Sequence, residues 1–420
     1  MASTRAYDIV LFGATGFTGK FATEYLLKSG PMNVKFAIAG RSRAKLEAVR
    51  TDIAATLTGE RAERAKNIPI LIADSNDQES LDAVAASTKV ILTTVGPFLQ
   101  YGKPLADACI RFRTDYIDST GETPYIKNLI DAYEDEAIAN NVRIVPSCGF
   151  DSLPSDLGTL MMANHFAKKG KKLASVRAIV VKMKGGISGG TIHSAAHMIE
   201  TTPLTTLVKA ENAYALNSKD DPATRPPASP VLFQYNKDVS RYELLWPMES
   251  GNAAYVRRSW GLLGRNYGAQ FRYSESLGIF GSVIPAVFAL FGTLGMLLSM
   301  VFPPSRWVVK KIFPQGQGPS PEMLKNGCVE MKFVATSEDG EKAVGVIKSH
   351  IDIGYVGTGL MLAEAAMCLA LDDAVFAKAR EEDVSVFGVK KGGILTAATA
   401  MSFVLVERLK KAGMEFYIEQ

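Results

Sequence analysis

Cysteine is scarce in this chain: four residues in 420, at positions 109, 148, 328 and 368, with no C-x-x-C pair among them. That spacing excludes a disulfide framework and the paired thiolates of a structural zinc site; it suits buried thiols in a reducing compartment. Histidine is as rare, again four residues, so no metal centre is expected. Neither sign of charge dominates: 47 Lys and Arg stand against 43 Asp and Glu, a formal net charge of +4. Such a balance advertises no basic surface of the kind nucleic-acid binding requires. No leader is expected either. Residues 1–6 before the first apolar run leave no room for a cleavable signal peptide or an Arg-rich transit segment. The expectation is an intracellular chain, long enough for two domains.

What is present begins at once. Residues 7–12 (YDIVLF) are mostly apolar, the mark of a strand buried on both faces of a parallel sheet. Gly13, Gly16 and Gly19 follow, and residues 17–28 place Phe17, Phe21 and Tyr25 at helical spacing. Strand, glycine turn and helix form the context of a dinucleotide fingerprint, here spaced G-x-x-G-x-x-G. Backbone without Cβ approaches a pyrophosphate closely, and a helix N-terminus offers free N–H groups to it. The turn residues Gly13, Thr15, Gly16, Phe17, Thr18 and Gly19 are therefore candidate cofactor ligands.

The second strand, 34–40, ends in Gly40-Arg41-Ser42-Arg43, with Lys45 one turn on. An NAD site carries a carboxylate there for the ribose 2′-hydroxyl. A carboxylate would repel a 2′-phosphate, whereas a guanidinium clasps it. Arg41, Ser42 and Lys45 thus point to NADP(H). Residues 68–74, 89–95, 115–118 and 142–146 read as further strands, with helical patterns at 79–86 and 105–112 between them. This is an α/β chain: a doubly wound parallel Rossmann sheet, with ligands at the strands' carboxyl ends. Asp74 ends the third strand, where it reaches adenine or caps the next segment. Gly96 and Pro97 follow the fourth, on the cofactor's path.

Six phrases in order, GATGFTG, AGRSRAKL, TVGPFLQYG, TDYIDSTGE, CGFDSLPSDLG and KGGISGGT, with GGILTAATAM near the C-terminus, resemble the saccharopine dehydrogenase-like oxidoreductases. The likeness is greatest to the trans-acting enoyl reductase branch. It implies an NADP-binding Rossmann domain, placed at 1–155, and an α+β substrate domain at 156–420 with an apolar insertion at 276–312. The branch reduces a C=C bond in a polyketide-derived lipid precursor, beside a synthase in glycolipid assembly. Other members associate with lipid droplets or membranes.

Hydride delivery to an activated alkene leaves an enolate that needs a proton donor. Tyr101, beyond Gly96-Pro97, and His193 are the candidates; either also reads as an ordinary structural residue. Asp118 and Glu122 are ribose ligands, an acid–base pair or helix caps. Asp151 and Ser152 are cofactor-side groups or caps of the helix at 153–162, and Cys148 reads as a buried thiol. A second glycine cluster, 184–191, makes an anion or carbonyl site with Ser188 and Thr191, or a hinge. Asp151, Ser188 and Thr191 are the candidate substrate contacts.

Residues 276–305 carry no charge at all. As one helix, 277–302 reaches ~39 Å, beyond the ~30 Å hydrocarbon core of a bilayer. Yet 174–183 before it and 329–336 and 344–353 after it read as strands of one sheet, which a single span would divide. Two arrangements remain: a segment entering and leaving one lipid face with Arg306, Lys310, Lys311, Trp307 and Phe313 at headgroup level, or a helix packed on protein or on the second copy of a homodimer. A membrane or lipid-droplet surface and a lipid-like substrate are the expected partners, on the cytoplasmic side. The competing functions are a non-catalytic nucleotide-binding membrane or lipid-droplet protein and a saccharopine-type amino-acid dehydrogenase. Residues 217–230 read as a surface loop.

Overall fold

In the computed structural model, residues 5–186, 188–202, 214–217, 231–314, 316–381 and 388–419 are described. Ile187 and nearly all of the loop expected at 217–230 lie outside them. The alternation at the N-terminus becomes six strands: β1 (Tyr7–Phe12), β2 (Phe36–Gly40), β3 (Ile70–Ile72), β4 (Thr88–Thr93), β5 (Asp115–Asp118) and β6 (Arg143–Val145). They pair in parallel in the order β3-β2-β1-β4-β5-β6. The order reverses between β1 and β4, and ligands bind at such a switch point. Two-sided burial accounts for the apolar runs: β2 is buried along its whole length, and β1 from Ile9 to Phe12.

A second, mixed sheet is built from β7 (Leu173–Lys184), β8 (Phe233–Asn236), β9 (Arg241–Leu244), β10 (Arg272–Ile279), β11 (Cys328–Ser337) and β12 (Lys342–Ser349). The C-terminal strands divide between the sheets. β13 (Gly393–Ile394) adds to the first sheet beside β6, and β14 (Glu415–Ile418) to the second beside β12. The second sheet therefore runs β14-β12-β11-β7-β10-β9-β8. The helix Leu153–Ala167, into which position 155 falls, packs on this sheet: a Cβ on Gly158 would collide with the Phe333 ring.

Returning chain also covers the first sheet. The helix Thr358–Leu371 is buried from Thr358 to Ala370, and its Gly359 lies so close to the helix Phe17–Lys28 that a Cβ would stand 2.8 Å from Ala22 N. β13 is held by a buried arginine. Arg258 donates to the carbonyls of Ile394 and Leu216 and to Glu134 Oε2 (2.8 Å), which also accepts from Ile394 N–H (3.0 Å). Arg258→Ala leaves those carbonyls buried without their donor. It is expected to cost about 3 kcal/mol of stability, measurable by urea denaturation.

The apolar insertion leaves and rejoins the second sheet at one end. β10 runs parallel to β7 and reaches Leu277 opposite Val180, while β11 begins with Cys328 opposite Lys184. Between them lie the helices Val283–Val301 and Pro303–Ile312. Exit and return on either side of β7 exclude a single membrane crossing.

Candidate active site

The glycine turn has little room to spare. Gly13 has φ +97°, a region that glycine tolerates, and a Cβ on it would stand 2.7 Å from Val95 Cγ2. A Cβ on Gly19 would collide with the Gly13 carbonyl, which also accepts from Thr94 Oγ1 (3.1 Å). So Gly13 and Gly19 close the strand-to-helix corner. Gly16 caps the helix Phe17–Lys28 with no side-chain acceptor and no acidic residue in its first turn. Its leading N–H groups are left for an anion. Thr15 and Thr18 lie partly exposed on this turn.

A cavity of about 280 Å³ opens beside the turn, lined by Arg41, Asp74, Ser75, Asn76, Val95, Gly96, Pro97, Gln100, Tyr101, His193, His197, Glu200 and Lys310. It gathers the ends of β2, β3 and β4, where a Rossmann fold holds adenosine. Arg41 is exposed within reach of it, as a 2′-phosphate ligand must be. Ser42 serves as a cap instead: its Oγ accepts from Lys45 N–H (3.4 Å) at the start of the helix Arg43–Thr56. Lys45 itself is exposed and outside the cavity lining. Asp74 accepts from Asn76 N–H (2.9 Å), shaping the loop at the cavity edge, while Asp77 caps the following helix.

Tyr101 and His193 meet in this same cavity. They share its lining with Arg41 and Asn76 on one side and with Gly96 and Pro97 on the other. His193 presents a buried Nε2 that has no partner among the described residues. Its helix, Gly189–Thr201, lies over the crevice: a Cβ on Gly96 would stand 3.4 Å from Ser194 Oγ.

Ser188 and Thr191 line no part of that cavity. Ser188 Oγ accepts from Thr191 N–H (3.3 Å) to cap the helix, Ser188 N–H donates to the Tyr355 hydroxyl, and Thr191 Oγ1 lies 3.1 Å from it. The Tyr355 ring in turn meets Phe17 edge-on, centroids 5.1 Å apart. Tyr355 thereby joins the second glycine cluster to the first turn of the dinucleotide helix. Nothing near it in sequence announces this, because it stands on a short π-helical turn, Ile353–Gly357, whose register local patterns do not encode.

Three buried carboxylates, Asp118, Glu122 and Asp156, and the half-buried Asp151 lie near the ends of β5 and β6 or in the helices that follow, and their partners separate them. Burial pushes Asp118 up to about 7, against N–H donation from Thr120 (2.8 Å) and Ser147 (2.9 Å) and the Tyr116 hydroxyl (2.8 Å). Burial raises Glu122 too, while its oxygens accept from Phe98 N–H (2.9 Å) and Leu99 N–H (2.8 Å); it caps the helix Phe98–Arg111. Asp156, pushed to about 7, is tied to Ser259 and to Ala398 N–H (2.8 Å). Asp151 is different. Burial alone lifts it to about 6, no described residue donates to it, and it sits beside Gly121, where a Cβ would stand 3.5 Å from Oδ2. As a whole residue Asp151 is half-buried, just beyond the end of β6. Cys148 is buried, its thiol raised by burial, consistent with a structural thiol.

Residues 9–145 match the family described as the saccharopine dehydrogenase NADP binding domain. A Mycobacterium tuberculosis protein provisionally named a trans-acting enoyl reductase is 34% identical over a 435-residue alignment, covering 98% of this chain and 97% of its own. Trans-acting enoyl reductases of M. tuberculosis and M. leprae are 31% and 32% identical, again over 98% of this chain and 97% of theirs. Apo saccharopine dehydrogenase (L-Glu forming) of Saccharomyces cerevisiae is similar in fold, with a TM-score of 0.52 at 12% identity over 99% of this chain and 100% of that one.

Proposed function

The chain belongs to the saccharopine dehydrogenase-like oxidoreductases, in their trans-acting enoyl reductase branch, and on that footing we propose that it reduces an enoyl C=C bond in a lipid-like or polyketide-derived precursor. It is an NADP-dependent oxidoreductase; the substrate is the proposal. The observation that carries the reading is the cavity joining Arg41, Asn76 and Gly96 beside an uncapped helix N-terminus. In it Arg41 takes the 2′-phosphate and the Phe17–Lys28 helix takes the pyrophosphate, which leads the nicotinamide past Gly96-Pro97 toward Gly121 and Asp151.

Bound NADPH supplies a hydride. Added to the β-carbon of an enoyl group, the hydride leaves negative charge on the α-carbon and carbonyl oxygen, and a proton must arrive at the α-carbon. Asp151 is the donor this reading selects. A carboxyl near 6 is still partly protonated close to neutrality, and no described donor holds it as a carboxylate. A dicarboxylic amino-acid substrate finds less support: buried Arg143 is engaged by Asp115, Arg258 by Glu134, and Arg257 donates to the Tyr273 carbonyl (3.0 Å).

A lipid context is supported by the insertion. In the helix Val283–Val301 only Ala286 and Met300 are buried, with mean hydropathy 2.1 over its most apolar window. Residues 276–321 contain no acidic side chain, so the charge near this surface is cationic and complements anionic headgroups. Lys311 stacks on the exposed Trp307 at 3.8 Å, an interfacial pair. Arg306 and Lys310, expected at headgroup level, instead turn inward to Glu200. The site and this apolar face share the helix Gly189–Thr201, where Ile192 and Ala196 pack against Met300.

The test is NADPH oxidation with 2-enoyl thioesters of increasing chain length, beside nucleotide titrations. Turnover is expected to rise with chain length. Arg41→Ala is expected to weaken NADPH about 10- to 100-fold and leave NADH nearly unchanged. Turnover of an amino-acid substrate without any of an enoyl one would overturn the reading.

A further inference from the structure

Among the described residues two cations face the cavity, and the position after β2 accounts only for Arg41. The other is Lys310, on the helix Pro303–Ile312 that follows the apolar one. Its Nζ lies 3.3 Å from both oxygens of Glu200, and Arg306 Nε reaches the same carboxylate at 3.1 Å. The two partners are not equivalent. Arg306 is buried, and its Nη1 donates to the Met300 carbonyl (3.0 Å), so the end of the apolar helix fixes it. Lys310 keeps about a third of its side chain exposed, at 32%, on a flexible stem.

We infer that Lys310 is a ligand of the NADP(H) 2′-phosphate, exchanging Glu200 for the phosphate when the nucleotide binds. A phosphate monoester carries close to two negative charges at neutral pH, more than Arg41 alone neutralises. The exchange leaves no carboxylate stranded, because Arg306 stays on Glu200. A consequence follows from connectivity. Lys310 is borne by the apolar insertion, and Met300 packs on Ile192 and Ala196 of the helix over the crevice. The segment offered to lipid thereby also supplies a side chain that separates NADPH from NADH. The inference rests on NADP(H) occupying this crevice.

Fluorescence titration of the full chain with NADPH and NADH tests it, using wild type, Lys310→Gln, Lys310→Arg and Glu200→Gln. Lys310→Gln is expected to weaken NADPH about tenfold without moving NADH, whose unchanged affinity also reports a folded site. Lys310→Arg should retain most of the affinity. Glu200→Gln should tighten NADPH, because it frees Lys310 and removes a like charge. Equal losses of NADPH and NADH in Lys310→Gln, or no loss of NADPH, would overturn the assignment while leaving the cofactor reading intact. Wild type that binds neither nucleotide would overturn the cofactor reading and this inference with it.

Discussion

Asp151→Asn is expected to slow enoyl-dependent NADPH oxidation roughly 10²- to 10⁴-fold while NADPH affinity barely changes. Asparagine keeps the shape of the side chain and cannot supply the proton. The isolation of Asp151 makes the prediction specific. Asp118, Glu122 and Asp156 each accept hydrogen bonds that fix them as structural carboxylates, and Asp151 accepts none from a described residue. A rate that needs the protonated carboxyl is full below its pKa and falls as pH rises through about 6 in the free enzyme. The negative charge of a bound dinucleotide moves that fall upward.

Stability supplies an independent reading of the same residue. The folded-state pKa of Asp151 lies above its unfolded value near 3.8. Its contribution to stability is therefore fully present below the unfolded pKa and lost as pH rises through about 6. Above that pH the folded protein holds an ionised carboxylate poorly solvated and without a described donor. Asp151→Asn should then raise the urea midpoint at pH 8 and change it little at pH 4. A variant more stable and less active marks a functional group kept at the expense of stability. A variant less stable at pH 8 with turnover intact would reduce Asp151 to a packing residue.

The local pattern carried the first half of the fold well. β1 and the helix Phe17–Lys28 begin and end where the apolar run and the glycines place them. Arg41 and the Gly96-Pro97 loop were legible because a parallel sheet puts strand ends at one edge, whichever strands lie between. What sequence could not supply was partnership over long separations. Tyr101 follows β4 and by itself suits either end of a dinucleotide; that it lines one cavity with His193 and Arg41 is visible only in the fold. Tyr355 is distant from both glycine clusters in sequence and touches both. β13 is two residues long, too short to show any period, and exists through Arg258 and Glu134. Arg306 and Lys310 read as headgroup cations until Glu200, on another helix, is seen to turn them inward.

Phe288→Asp combined with Phe291→Asp is expected to release the protein from anionic phospholipid vesicles while NADPH binding survives. Among the described residues two helices are long and apolar enough to cross a bilayer, and burial distinguishes them. The helix within Ile353–Leu371 is 89% buried and packs on the first sheet, whereas that within Val283–Val301 is 11% buried. Phe288 and Phe291 are 74% and 67% exposed, so their replacement disturbs no packing inside the chain. Removing two phenylalanines from an apolar phase costs about 3–6 kcal/mol, a loss of two or more orders of magnitude in partitioning, before the added charges are considered. Flotation through a density gradient reads the result directly. Since β10 and β11 flank β7 at one end of the sheet, a segment that enters lipid would enter and leave by one leaflet, and protease outside sealed vesicles should find the rest of the chain accessible. If wild type stays at the bottom of the gradient and elutes as a dimer that the same substitutions dissociate, a second copy covers the helix and the lipid assignment fails. Flotation lost together with unchanged turnover on a soluble short-chain enoyl thioester would place the helix in substrate access, outside the chemistry at Asp151.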